Sequence, residues 1–194
     1  RNSIGLATWN DEEKLFKRSF PGPVIDRTKD YPHFVATPEV IFDNGCFKAW
    51  FTSCVKWEET DTEAKHYYNL EYAESLDGIN WNRNGTIAVD FLNEHEYALG
   101  VPRVIKDGSS YQMWFCSRGT ADNHTYRIRH ATSDDGVNWI RTNQKHVGID
   151  VSDSGWDSQM ICYPFIFDHK NERYMLYNGN GYGETGFGIA RLKK

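Results

Sequence analysis

A repeated turn motif constrains this fold more than any other feature of the sequence. Residues 69–83 read NLEYAESLDGINWNR and align with residues 127–141, RIRHATSDDGVNWIR, 58 positions further on. A weaker copy starts near residue 4, and a truncated copy, GFGIAR, occupies residues 186–191. Self-similarity at a fixed spacing of this length predicts a repeat architecture.

A second repeated element alternates with the first. It begins with a proline-led apolar run, in TPEVIF (37–42), VPRVI (101–105) and YPFIF (163–167), and each copy leads through a turn to an aromatic run. Aromatic and β-branched residues favour strands, and the Asp-Gly and Asn-Gly turns favour hairpins. Each period of about 60 residues therefore predicts four antiparallel strands, which is the blade of a β-propeller. The predicted fold class is all-β, a β-propeller of four-stranded antiparallel blades.

The repeat predicts a single propeller domain or fragment over residues 1–194. Its predicted parts are a partial blade (1–32), two whole blades (33–91 and 97–150) and a second partial blade (158–194). These amount to about three blades, whereas closed propellers typically have four to eight. Because open blade edges are normally covered, we expect either further upstream blades or a homo-oligomer formed through those edges.

Charge and composition exclude several classes of function. The chain has 22 basic and 27 acidic side chains, a net charge of −5, so neither nucleic acid nor an anionic membrane is an expected partner. It has no apolar run long enough to cross a membrane and no signal-peptide pattern at the start, which predicts a cytoplasmic protein. No metal-ligand spacing occurs among the histidines and cysteines, and no phosphate-binding loop precedes a helix, so no metal or cofactor is expected.

The repeats and several local motifs resemble a known group of proteins. The motifs are IGLA (4–7), GPV (22–24), YQMWF (111–115), GWDSQM (155–160) and YMLYNGNGYG (174–183). Together with the two turn copies, they resemble the five-bladed propellers related to glycoside hydrolase families 43, 32 and 130. The resemblance covers nearly the whole chain and implies the C-terminal three-fifths of such a propeller.

This resemblance implies a carbohydrate site at the central funnel. It also implies that one catalytic aspartate belongs to the first blade, which has no counterpart in this chain. Similar proteins carry Glu at the position of Gln159, and a Glu-to-Gln change keeps hydrogen bonding but removes the acid–base group. The expected function is therefore a glycoside hydrolase-like protein, and the alternative is a non-catalytic carbohydrate-binding or self-assembling propeller fragment. The sequence leaves open whether the chain is an enzyme.

Three carboxylates near the starts of the inner strands are candidate catalytic residues, because glycosidic hydrolysis normally uses a pair of carboxyl groups. Glu39 follows Pro38 directly, and its alternative role is an ion pair with Arg103 of the next blade. Glu96 lies in the loop that enters the second inner strand, and Asp157 lies in the loop that enters the third. The alternative for Asp157 is the capping of a turn.

Candidate sugar-binding residues surround these carboxylates. Trp57 and Trp156 offer rings for stacking on a pyranose, and Arg118 and Asn178 offer hydrogen bonds to hydroxyl groups. The full set of predicted substrate-binding residues is Trp57, Arg103, Arg118, Trp156, Gln159, Tyr163 and Asn178. Trp50 and Trp114 follow the strand alternation and are predicted to lie in the core.

Overall fold

The computed structural model describes residues 2–59, 64–119 and 124–192. Nearly all regular structure in these residues is β-strand, as the aromatic and β-branched runs predict. The strands are β1 (Ala7–Asn10), β2 (Leu15–Arg18), β3 (Val35–Asp43), β4 (Cys46–Glu59), β5 (Ala64–Ser75), β6 (Ile87–Val89), β7 (Ala98–Asp107), β8 (Ser110–Arg118), β9 (Arg127–Ser133), β10 (Ile140–Arg141), β11 (Cys162–His169), β12 (Glu172–Asn178) and β13 (Phe187–Arg191). A 3-10 turn spans Gln144–His146, and a short helical turn spans Asn180–Gly183.

The strands pair antiparallel with their neighbours along the chain, in four successive groups. The first group is the hairpin β1–β2, and the second runs from β3 through β4 and β5 to β6. The third runs from β7 to β10, and the last contains β11, β12 and β13. This arrangement confirms the predicted fold class, a propeller of four-stranded antiparallel blades of which the chain forms a part. The residue limits of the blades stay a prediction.

Neighbouring blades are joined at one edge. The backbone N–H of Tyr68 on β5 donates to the carbonyl of Tyr97, 2.9 Å away, just before β7 begins. Through the parallel bridge between Tyr68 and Ala98, the second and third groups form one continuous eight-stranded sheet. The first strands of successive groups, β3, β7 and β11, are also neighbours, which places them around the propeller axis.

The repeated turns have the structural role that their residues suggest. In the first copy, the Asp77 carboxylate accepts hydrogen bonds from the backbone N–H groups of Asn80 and Ile79, at 2.8 and 2.9 Å. These bonds lower the pKa of Asp77 below its usual range. Asp135 forms the same bonds with Asn138 and Val137 in the second copy. Both aspartates are thus occupied in building turns.

The core lies between and within the blades. Trp50 is fully buried, and its indole N–H donates to the carbonyl of Gly136, a turn residue of the next blade, over 2.8 Å. Gly136 has a φ of +77°, and a Cβ there would approach the Trp50 ring to 3.2 Å, so the turn and the ring fit together closely. Trp114 is also buried, and the core prediction is confirmed for both tryptophans. No helix in the described residues is long and apolar enough to cross a membrane.

Candidate functional site

The three inner strands, β3, β7 and β11, share an unusual backbone conformation near their first residues. The residue before each proline, Thr37, Val101 and Tyr163, has a positive φ of 46°, 54° and 56° respectively. Each stands at a register shift in the ladder between the inner strand and its partner. Such strain in non-glycine residues costs about 1–3 kcal/mol each and clusters at functional sites. This strain recurs at the same end of all three inner strands. We therefore take this end of the channel, the space around the propeller axis, as the candidate site.

The ion pair considered for Glu39 is present at this end. Arg103 donates from Nη1 to Glu39 Oε2 over 2.7 Å, linking β3 to β7 across the blade boundary. The backbone N–H of Val104 also points at Glu39 Oε1, at 3.4 Å. About a fifth of the Glu39 side chain (21%) stays exposed, so the carboxylate is held in place and still open to solvent. On its other side, Arg103 lies 5.9 Å from the ring of Phe165 on β11.

Arg118 is the last residue of β8, at the same end of the inner strands, and four tyrosines lie around it, with a fifth, Tyr163, packed against two of them. Its guanidinium lies 4.8 Å from the ring centre of Tyr126 and 5.3 Å from that of Tyr97. Nη1 donates to the hydroxyl of Tyr182 over 3.2 Å, whereas Nε is buried without a partner. We call Tyr68, Tyr97, Tyr126, Tyr163 and Tyr182 the tyrosine shell.

The tyrosine shell is a continuous wall. Tyr163 and Tyr182 stack at 6.1 Å with an angle of 26°, and the ring of Tyr126 lies about 6 Å from each of them. The hydroxyls of Tyr68 and Tyr126 are hydrogen-bonded to each other. Burial raises the pKa of Tyr163 to about 12, further from physiological pH than that of an ordinary tyrosine. Its hydroxyl keeps its proton there and can donate a hydrogen bond. The tyrosine shell therefore combines aromatic faces with hydroxyl donors.

Aromatic side chains continue from the shell to Trp57. The ring of Phe34 lies 5.9 Å from that of Tyr68 and 6.4 Å from that of Trp57. Trp57 meets His66 edge-on at 3.8 Å and donates from Nε1 to Glu59 Oε1 over 3.1 Å. Trp57 is 41% exposed, so part of its ring is accessible to a ligand.

Glu96 has a different environment from Glu39. Its side chain is completely buried, and Arg141 binds both carboxylate oxygens, at 2.6 and 2.9 Å. The backbone N–H of Leu92 donates to Oε2 over 2.6 Å. Burial alone would raise the pKa of Glu96, but the hydrogen bonds and charge of Arg141 outweigh it and lower the pKa. The carboxylate is thus satisfied inside the protein, and the catalytic role considered for it stays a prediction.

The repeat explains why Glu96 has this partner. In the preceding blade, Arg83 binds Glu71 of β5 through two hydrogen bonds of 2.7 Å. Arg141 is the counterpart of Arg83, but Arg129 stands where Glu71 would be. Glu96 supplies the carboxylate that this blade would otherwise lack. This geometry is that of a buried structural ion pair.

Asp157 and Trp156 pack against the last blade. Asp157 is 5% exposed, and its Oδ2 accepts a hydrogen bond from the hydroxyl of Tyr177 over 3.1 Å. The ring of Trp156 stacks on Tyr177 at 5.6 Å, and a Cβ added to Gly179 would lie only 2.5 Å from it. These contacts position the loop before β11, while the roles predicted for both residues stay untested.

Gln159 and Asn178 lie beside the tyrosine shell. The carbonyl of Gln159 accepts hydrogen bonds from Thr125 and Arg127, at 2.5 and 2.9 Å, and the residue is exposed. Asn178 donates from Nδ2 to the carbonyl of Tyr182 over 2.9 Å and so holds the helical turn that carries this tyrosine. The structure thus brings Arg118, Tyr163 and Asn178 together, with Gln159 at their edge.

Most of the tyrosine shell was not predicted from the sequence. Tyr163 was a predicted site residue, but Tyr68, Tyr97, Tyr126 and Tyr182 were not. A signal was present for two of them, because Tyr68 and Tyr126 lie 58 positions apart and occupy equivalent places in the repeat. In the described part of the chain, no group of three or more His, Cys, Asp or Glu side chains could hold a metal ion.

Comparison with known proteins identifies the family. A sequence model of glycoside hydrolase family 130, described as β-1,4-mannooligosaccharide phosphorylase, matches residues 55–187. The chain belongs to the glycoside hydrolase 130 family. This membership confirms the resemblance stated from the sequence motifs and gives the protein a carbohydrate-related function. The matched range contains Arg118 and all of the tyrosine shell.

Two longer relatives align with the whole of this chain. The uncharacterized protein Rv1502 of Mycobacterium tuberculosis strain H37Rv is 40% identical over 193 residues, and so is MT1551 of strain CDC 1551. The match covers 100% of this chain and 62% of each relative, so the chain spans about three-fifths of their length.

Solved structures of other glycoside hydrolases have the same fold. A structure described as a glycoside hydrolase superposes with a TM-score of 0.71 at 19% identity, covering 98% of this chain and 56% of that one. The family 117 glycoside hydrolase Zg3597 of Zobellia galactanivorans gives a TM-score of 0.66 at 18% identity, covering 82% and 52%. Sucrose-6-phosphate hydrolase of Lactobacillus gasseri gives 0.65 at 16% identity, covering 86% and 32%. At these identities the likeness concerns the fold alone.

Proposed function

We propose that this protein binds a glycoside at the strained end of its inner strands and that Glu39 acts there on the glycosidic bond. The observation that carries this proposal is the position of Glu39. It lies on an axial strand, beside the positive-φ residue Thr37, and is fixed by Arg103 yet 21% exposed. Glu96 and Asp157 are buried with protein partners, so they are less able to reach a substrate.

The surroundings of Glu39 suit a sugar. Pyranose rings bind to exposed aromatic faces, and their hydroxyls bind to side chains that donate hydrogen bonds. Trp57 and Tyr163 provide such faces at the same end of the channel, and Arg118 and Tyr182 provide donors. A carboxylate held by an arginine among such groups can act as a base or a nucleophile in glycosidic cleavage.

A second candidate reaction is phosphorolysis, which the description of the matching family model favours. In that reaction, inorganic phosphate attacks the anomeric carbon, the glycosidic bond breaks, and the departing oxygen takes up a proton. One carboxyl group that delivers this proton is then sufficient, since phosphate replaces the activated water of a hydrolase.

Incubation with β-1,4-mannooligosaccharides, with and without inorganic phosphate, separates these functions. A sugar 1-phosphate that forms only with phosphate supports phosphorolysis, and a shortened oligosaccharide without phosphate supports hydrolysis. Glu39→Gln should lower kcat by about 10²- to 10⁴-fold, because the amide has nearly the same size as the carboxyl group but cannot take up or deliver a proton. Glu12→Gln on the exposed turn between β1 and β2 is the matched control.

Unchanged turnover in Glu39→Gln would remove this residue from the mechanism. A rise in melting temperature with sugar, but no product under either condition, would support the alternative of a non-catalytic carbohydrate-binding protein. The amide at Gln159 favours that alternative, since it has no acid–base group.

A further inference from the structure

Arg118 has no carboxylate partner among the described residues, which it shares with Arg18, exposed on β2, and Arg129, which donates to Gln144. Ion pairs with Asp or Glu are formed by Arg27, Arg83, Arg103, Arg127, Arg141, Arg173 and Arg191. In residues 2–59, 64–119 and 124–192, no carboxylate lies within ion-pair distance of Arg118. Its neighbours are instead the rings and hydroxyls of the tyrosine shell.

An arginine in this position has N–H donors that are available to a ligand. A guanidinium has five N–H donors in a planar fork that matches the two oxygens of a carboxylate. In the described part of the chain, Nη1 of Arg118 donates to the hydroxyl of Tyr182, and Nε is buried and unpartnered. A buried donor without a partner is costly, so a ligand that supplies an acceptor is favoured there.

The tyrosine hydroxyls add further hydrogen-bond donors to this part of the shell. Because the Tyr182 oxygen accepts from Arg118, its own proton is free to be donated onward. Tyr163 stacks on Tyr182 and brings a second hydroxyl to this part of the shell. Both residues are partly exposed, at 37% and 47%, so this edge of the shell is open to an incoming ligand.

We infer that Arg118 and the tyrosine shell form a subsite for a carboxylate carried by the sugar, so that the preferred ligand is an acidic sugar such as a uronate. This inference rests on the proposed carbohydrate function and adds the substrate class. One guanidinium flanked by neutral hydroxyls and aromatic faces matches a planar monoanion attached to a pyranose. A phosphate dianion generally needs more positive charge or several backbone N–H groups.

Affinity measurements with matched pairs of sugars test this inference. D-glucuronate, D-galacturonate and D-mannuronate are each compared with D-glucose, D-galactose and D-mannose, which differ from them only at C6, and inorganic phosphate is measured separately. Titration calorimetry of the purified protein should show at least one uronate binding about tenfold or more tightly than its neutral counterpart. Arg118→Gln should abolish that preference, while Arg18→Gln, an exposed arginine of β2, should leave it intact.

Tyr182→Phe provides a second variant that removes one hydroxyl and keeps the ring. It should reduce uronate affinity several-fold and leave neutral sugars unaffected, so the inference stays testable where Arg118→Gln does not fold. Equal affinity for each uronate and its neutral partner would overturn the inference and leave the proposed function standing. Arg118-dependent binding of phosphate without a preference for any uronate would also overturn it. A protein that binds no sugar of either class would overturn both proposals.

Discussion

The buried pair of Arg141 and Glu96 offers the sharpest test of how this structure is stabilised. Replacement of Arg141 by Met removes both hydrogen bonds to Glu96, whose side chain has no exposed surface. An uncompensated buried carboxylate typically costs about 3–5 kcal/mol. For a domain of this size, each kcal/mol changes the melting temperature by about 2–4 °C, so we expect a fall of about 6–20 °C.

The cost should depend on pH. In the native protein Arg141 lowers the pKa of Glu96, and without it burial alone should raise that pKa. The Arg141→Met variant should therefore lose less stability relative to the native protein at pH 5 than at pH 7, because protonation removes the unpaired charge. The double variant Glu96→Gln/Arg141→Met should recover part of the loss at pH 7.

Circular dichroism during heating and in urea measures these differences. Arg191→Met is the matched control, because its ion pair with Glu172 is exposed on both sides (57% and 42%) and should contribute less than about 1 kcal/mol. If Arg141→Met costs no more than this control, the reasoning is wrong. If Glu96→Gln keeps full stability and loses turnover, Glu96 belongs to the catalytic site after all.

Two further predictions concern stability. Burial lowers the pKa of His130 to about 4, so the unfolded chain takes up the proton first as the pH falls. Stability should thus drop by about 2 kcal/mol between pH 7 and pH 5 on account of this residue, and urea titrations of His130→Phe should show a correspondingly smaller drop. An unchanged difference between the two pH values would contradict this. Gly119 has a φ of +99°, and a Cβ there would lie 2.6 Å from the carbonyl oxygen of His95. Gly119→Ala should therefore lower the melting temperature more than Gly108→Ala, where φ is +63° and nothing lies within 4 Å, and equal shifts would argue against close packing behind the tyrosine shell.

Local features of this protein could be predicted because they depend on residues near one another in the chain. The Asp-Gly turns, the hairpins and the burial of Trp50 follow from turn chemistry and strand alternation, and the structure confirms them. The contact between Glu39 and Arg103 could also be predicted, because these residues occupy equivalent positions in adjacent repeats.

The surroundings of the candidate site could not be predicted in the same way. From the sequence, Glu39, Glu96 and Asp157 were equivalent candidates, since each is an acidic residue near the start of an inner strand. In the structure Glu39 is partly exposed, whereas Glu96 and Asp157 are buried against protein partners. The difference for Glu96 comes from Arg141, 45 positions away, and from the substitution of Arg129 for the acid of the preceding blade. Such a pairing depends on which side chains share a desolvated space, and periodicity does not report it.

The sequence by itself determined the repeat, the all-β blades and the end of the inner strands where function is expected, since these follow from short-range patterns of turn and apolar residues. Only the tertiary structure decided what surrounds Arg118. Tyr97 precedes β7, Tyr126 precedes β9, and Tyr182 lies in the turn after β12. They meet around one guanidinium because β-strands of successive blades bring distant loops to the same end of the channel.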